Sequence, residues 1–165
     1  MKTTQIFSLL LIATLVCGCK QENWLDWKLQ NELWLAQNAN KEGVITTPTG
    51  LQYKCIEPGL DLGPRPDNAK EVIIDYKGWL INGDVYDSPF DQYTYSEDDP
   101  KSFYVSNFVA GFAEGLKKMN KFSEYEFYIP YDLGYGATAM GTEGTSSFIP
   151  PYSTLIFRVY LHSVN

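Results

Sequence analysis

Few side chains of this 165-residue chain stand where they could move protons, electrons or chemical groups. The one histidine, His162, lies three residues from the C-terminus with no Cys, Asp or second His at ligand spacing, and reads as structural. There is no Gly-x-Ser-x-Gly elbow and no glycine-rich loop followed by Lys-Ser or Lys-Thr. Hydrolase, kinase and metalloenzyme readings therefore have no support, and neither a metal nor a cofactor is expected. Aromatic surface is what the chain has in quantity, with 12 Tyr, 9 Phe and 4 Trp. Tyr135 stands between Gly134 and Gly136, a context that suits a loop where ring and backbone approach something closely. Asp87, before Ser88-Pro89, serves equally as a turn former or as a polar group at a site. Aromatic walls with one or two polar groups can act on an amide: its planar form is strongly dipolar and its twisted form less so, so an apolar surrounding disfavours the first relative to the second.

Such residues need elements to hold them. Glu71 to Trp79 alternates, with Val72, Ile74 and Tyr76 on one face; Tyr125, Phe127 and Ile129 alternate likewise, as do Leu155, Phe157, Val159 and Leu161. Asn82-Gly83 between apolar runs signals a hairpin. Phe112, Leu116 and Met119 recur at helical spacing and predict one short helix. The plan is α+β, an antiparallel sheet with a helix laid against one face and one core. Residues 20 to 38 lack Gly and Pro and predict a further helix, with Leu25, Leu29 and Leu33 on one stripe and Trp24, Trp27, Trp34 and Leu35 on another. A helix apolar on two sides wants two neighbours, through packing on the domain, self-association or contact with a membrane interface. Asn38 to Gly43 reads as helix end and linker, and strand texture begins at Thr47. Cys55, in the run Leu51 to Ile56, reads as a small buried hydrophobe. Asp87 to Lys101 and Gly136 to Ser147 are long and irregular, as functional loops often are.

Several blocks agree in order and spacing with one family. Asp75-Tyr76-Lys77-Gly78, Gly83-Asp84-Val85-Tyr86-Asp87-Ser88, Val109-Ala110-Gly111-Phe112-Ala113-Glu114-Gly115-Leu116, Tyr135-Gly136-Ala137 and Ile149-Pro150-Pro151-Tyr152-Ser153-Thr154-Leu155-Ile156-Phe157 together resemble the FK506-binding-protein (FKBP) family of peptidyl-prolyl cis-trans isomerases, over about residues 50 to 165. The resemblance implies an FKBP-like antiparallel sheet wrapped around one short helix, preceded here by an N-terminal helical extension. It implies a proline pocket made by Tyr76, Asp87, Tyr135, Phe112 and Phe157 as catalytic residues, with Tyr86, Phe108, Val109, Phe148 and Ile149 binding substrate. In that mechanism the proline ring sits on Phe112, walled by Tyr76, Tyr86 and Phe157. The Ile149 N-H and the Tyr135 hydroxyl bind substrate carbonyls, and Asp87 orients the polarised amide. Two departures stand out: Phe112 occupies a floor position that is often Trp in the family, and Tyr86 one where Phe is frequent. The implied partners are proline-containing polypeptides, and FK506-like macrolides are implied ligands. The rival expectation is a non-catalytic chaperone or interaction module on the same fold, using the Trp-bearing helix and long loops.

The N-terminus begins Met1-Lys2, runs apolar from Ile6 to Val16 and reaches Gly18-Cys19, the pattern of a secretory signal too short to span a bilayer. Val16-Cys17-Gly18-Cys19 resembles a bacterial lipobox with Cys19 as the lipidated residue. The expected division is a signal peptide over 1–18, helix and linker over 19–46, and the isomerase domain over 47–165. The expected address is the cell envelope, at the outer membrane, with attachment through the lipid at Cys19. A net charge of -7, one unit more negative once Lys2 is removed, argues against nucleic acid or anionic lipid as an electrostatic partner.

Overall fold

The computed structural model describes residues 24–61, 63–87 and 102–165, with Val85 to Asp87 as backbone only. The lipobox with Cys19, and the long segment after Asp87 as far as Lys101, fall outside the described residues. Seven strands are described: β1 (Val44–Thr46), β2 (Gln52–Glu57), β3 (Glu71–Trp79), β4 (Val85–Asp87), β5 (Ser102–Tyr104), β6 (Glu124–Ile129) and β7 (Leu155–Val164). They form one antiparallel sheet in the order β1-β2-β6-β7-β3-β4, with β5 also pairing β3. The period-two runs lie where alternation predicts them, because one face of each strand is buried against a helix. Val72, Ile74, Phe127, Ile129, Leu155, Phe157, Val159 and Leu161 are all at most 6% exposed and form the inner row.

Helix α2 (Ala110–Leu116) lies on that inner face. Gly111 and Gly115 are what let it come close. A Cβ on Gly115 would stand 2.7 Å from the Phe127 ring, and one on Gly111 would meet Ile129. Met119, beyond the helix end, is fully buried, so the helical spacing of Phe112, Leu116 and Met119 marks a core stripe longer than the helix itself.

Helix α1 (Trp24–Asn38) belongs to the opposite face, where Tyr128 and Ile156 are paired and buried. The Trp34 ring lies 5.7 Å from Tyr128. Buried polar groups fix the docking: Asn31, fully buried, accepts the Thr154 N-H at 2.7 Å through Oδ1, and Asn38 donates to Gln52 Oε1 at 2.9 Å while Gln52 donates to the Leu35 carbonyl. Among the described residues the sheet is the neighbour this helix packs on, where its two stripes led to an expectation of two. The tryptophan row packs on the domain, and Leu25, Leu29 and Leu33 are 63%, 53% and 52% exposed. Both stripes cannot face one sheet, and the side holding Asn31 and Asn38 faces it because there the Asn31 amide bonds through both its atoms and the Asn38 amide group finds Gln52.

Three further expectations are revised. Cys55 is exposed, not buried, because the short α2 covers Ile129 and Phe127, and Cys55, opposite Tyr125, lies one row beyond. The stretch read as linker contributes β1, so the sheet starts at Val44. At the β3–β4 hairpin only Gly83 adopts positive φ, at +90°. Leu80 donates to the Asp84 carbonyl and Asn82 Oδ1 accepts the Asp84 N-H, which makes a wider turn than a two-residue Asn-Gly loop.

Candidate active site

The glycines of α2 set the geometry of the site, since the close approach they allow lowers Phe112 into the inner face of the sheet. Its ring meets Phe157 at 4.8 Å and Phe127 at 5.6 Å, both edge to face. Tyr76, from β3, stands within 5.7–6.4 Å of Phe103, Phe108, Phe112 and Phe157. Rings prefer tilted and edge-on packing of this kind, and each pair adds about 0.5–1.5 kcal/mol beyond its buried area. Tyr76, Phe108, Phe112 and Phe157, widely separated in the chain, therefore meet in one aromatic basin. Val109 packs against the core cluster that holds Phe112 and Phe157, and Ile149, 5% exposed, belongs to that core.

Phe112 is 1% exposed, with Phe108 stacked over it at 4.4 Å and 23°. Phe108 and Tyr76 are only partly buried, so theirs are the more accessible rings of the basin. Tyr135 follows a 3-10 turn at Tyr131–Leu133 and is 37% exposed. The loop around it is tied by the Gly136 N-H to the Tyr131 carbonyl and by the Tyr152 N-H to the Gly136 carbonyl, with Gly136 at φ +64°. Asp87 is placed by register: it pairs with Gly78, which pairs with Phe157 on the other side, so the backbone of Asp87 lies two strands from a basin residue. The side chains of Tyr86 and Asp87 lie outside the described residues.

Two residues depart from the roles expected of them. The Ile149 N-H donates to the Met140 carbonyl at 2.9 Å, in a bridge that closes the loop between them. The Val109 N-H, by contrast, has no partner among the described residues. It sits at the N-cap of α2 beside Phe108 and Phe112. Phe148 turns away from the basin: its ring lies 6.2 Å from Trp24 of α1. Consecutive residues of an extended segment face opposite sides, so Ile149 inward means Phe148 outward. Phe103 joins the basin through β5 and its pairing opposite Val72, a position no sequence pattern marked. Among the described residues no group of three His, Cys, Asp or Glu could hold a metal, and no helix is long and apolar enough to cross a membrane.

A short helix cradled by an antiparallel sheet, with a ring-lined basin at its N-terminal end, is the geometry of FKBP domains. The model of the FKBP-type peptidyl-prolyl cis-trans isomerase family matches residues 63–162, and that of the domain amino terminal to FKBP-type peptidyl-prolyl isomerase matches residues 20–55. The chain belongs to the FKBP-type peptidyl-prolyl cis-trans isomerase family. It is 36% identical over 137 residues to the outer membrane protein MIP of Legionella longbeachae, covering 83% of this chain and 54% of that one. It is 36% identical over 135 residues to the peptidyl-prolyl cis-trans isomerase Mip of Coxiella burnetii, covering 82% and 54%. The crystal structure of FkpA from Escherichia coli superposes with a TM-score of 0.71 at 34% identity, over 85% of this chain and 60% of that one. The chain thus spans about half the length of the relatives it matches in sequence.

Proposed function

We propose that the chain is a prolyl cis-trans isomerase acting on proline-containing segments of exported polypeptides. The observation that carries this reading is the aromatic basin formed by Tyr76, Phe108, Phe112 and Phe157 in a chain of this family. Rotation about X-Pro faces a barrier of about 20 kcal/mol because it breaks amide resonance. Each ~1.4 kcal/mol by which the basin favours the twisted over the planar amide is tenfold in rate. Proton transfer plays no part. The Val109 N-H is the donor for a substrate carbonyl, in place of Ile149, and the Tyr135 hydroxyl and Asp87 supply the remaining polar contacts. FK506-like macrolides would compete for the same basin.

Cys19 is the proposed lipid attachment, following signal cleavage after Gly18, and the protein would then work in the cell envelope, at the outer membrane. The similarity to the Legionella outer membrane protein supports that address. Labelled palmitate retained by a Cys19→Ala variant would refute the anchor.

The test of activity is the cis-to-trans rate of an X-Pro tetrapeptide with the full chain in mild detergent. Acceleration that FK506 suppresses and Phe112→Ala abolishes is the expected result; no acceleration by a folded chain would overturn the reading. One observation favours the rival, a non-catalytic module: Phe112 lies beneath Phe108. In that case Phe112→Ala leaves suppression of client aggregation intact.

A further inference from the structure

Behind the loop that ends at Ile149 lies a second cavity of about 590 Å³, between α1, the β3–β4 turn and the 144–150 segment. Its walls include the Trp24 and Trp27 indoles, Phe148 and Pro150, and the Asn82 and Asp84 side chains. The Thr145 and Ser146 residues add to the polar side, so aromatic and polar groups share the lining, a mixture suited to a side chain with an apolar stem and a polar head. The walls are held before any ligand arrives. Trp27 Nε1 donates to Ser153 Oγ at 2.9 Å, Ser153 Oγ donates to the Pro150 carbonyl at 2.7 Å, and Asn31 holds the Thr154 N-H.

The cavity adjoins the basin through a single thickness of chain, since Ile149 faces one and its neighbours Phe148 and Pro150 line the other. Its one ionised group is Asp84, on an exposed turn, where Asn82 donates to it at 2.7 Å and no basic side chain among the described residues pairs with it. The nearest lysine on α1, Lys28, is turned to the Tyr131 and Tyr152 rings. Indole rings beside a carboxylate with no basic partner among the described residues attract a cation, and the net charge of -7 steers in the same direction.

We propose that this cavity is a second substrate subsite, taking a lysine or arginine side chain that the polypeptide carries a few residues from its proline. The proposal rests on the isomerase reading for its kinetic consequence, and on the cavity alone for binding. Extended chain advances roughly 3.3 Å per residue, so a residue two to four positions from proline spans the intervening loop. Affinity is expected to rise about fivefold for a correctly placed cation, the scale of one cation–π contact with a partly exposed ion pair.

The test uses the full chain in mild detergent and proline peptides carrying Arg, Gln or Glu at each of positions two to four on either side of proline. Turnover is followed together with binding by quenching of tryptophan fluorescence. The expected result is a KM about fivefold lower for one Arg peptide than for its Glu counterpart, with kcat unchanged. Trp24→Leu and Asp84→Asn should each remove that preference and leave the rate on a neutral tetrapeptide as it was. Asp84→Asn, on an exposed turn, keeps the test valid should Trp24→Leu fail to fold. Equal KM and equal binding for Arg and Glu peptides, or a preference that survives both substitutions, would overturn the proposal. If the neutral tetrapeptide is not turned over, the isomerase reading fails by itself; selective binding of an Arg peptide, lost on Asp84→Asn, would still sustain the subsite.

Discussion

Phe112 and Tyr135 serve the same proposed pocket but differ in what a substitution would remove. Phe112 is fully buried among four rings, so Phe112→Ala leaves a cavity and should cost about 3–5 kcal/mol, read as a lower midpoint in urea. Its effect on activity therefore needs a companion that keeps the fold. Tyr135→Phe is that companion: the ring is 37% exposed, and stability should change by less than about 1 kcal/mol while kcat/KM falls roughly tenfold through the lost hydroxyl. A Tyr135→Phe variant with undiminished kcat/KM would remove the hydroxyl from the mechanism. At this scale the resemblance implied one pocket for Tyr76, Phe108, Phe112 and Phe157, and in the fold their rings lie within 4.4–6.4 Å of one another where they pair. It could not reveal that Ile149 spends its N-H on Met140, because that bond joins two residues across a loop whose closure is tertiary.

Among the elements, α2 is set by what it lacks. Gly115→Ala would place a methyl group 2.7 Å from the Phe127 ring, and Phe127 is fully buried with nowhere to go. Helix propensity would gain up to about 1 kcal/mol, but overpacking costs roughly 1–3 kcal/mol and should win. The thermal midpoint should fall, and the displaced ring should carry a loss of activity with it. On α1 the two stripes make an internal control. Trp34→Ala removes a ring packed on Tyr128 and should cost about 3 kcal/mol, whereas Leu29→Gln, at a position 53% exposed, should stay within about 0.5 kcal/mol. Urea unfolding of the two variants decides between them, and comparable losses would mean that the leucine row is covered. Periodicity located both stripes and could not say which faces the sheet, since that depends on Asn31 and Asn38 finding partners in Thr154 and Gln52, more than a hundred and some fourteen residues away.

For the whole molecule, two buried tyrosines set an alkaline limit. Burial, with the Cys55 thiol as a hydrogen-bond partner, pushes the Tyr125 phenol up to about 12, and burial together with the Glu126 carboxylate raises Tyr128 as well. Both stay protonated in the folded chain while the unfolded chain ionises near pH 10. The stability this provides is complete below pH 10 and is lost as pH rises from there toward 12, at up to about 1.4 kcal/mol per pH unit for each phenol. Unfolding midpoints between pH 9 and 11.5 should show that decline, and Tyr128→Phe should make it shallower; an unchanged slope would assign the effect elsewhere.

Local pattern by itself determined β3, β6 and β7 with their faces, the short helix and the longer N-terminal one, because a strand or helix reports its buried side through the period of its own residues. Matching blocks determined the family. Only the tertiary structure decided that Phe108 covers Phe112, that Cys55 is exposed, that Phe148 turns toward Trp24, and that a cavity opens behind the active-site loop. Each of these depends on which distant surface reaches a residue first, and the spacing of residues along a chain carries no record of that competition.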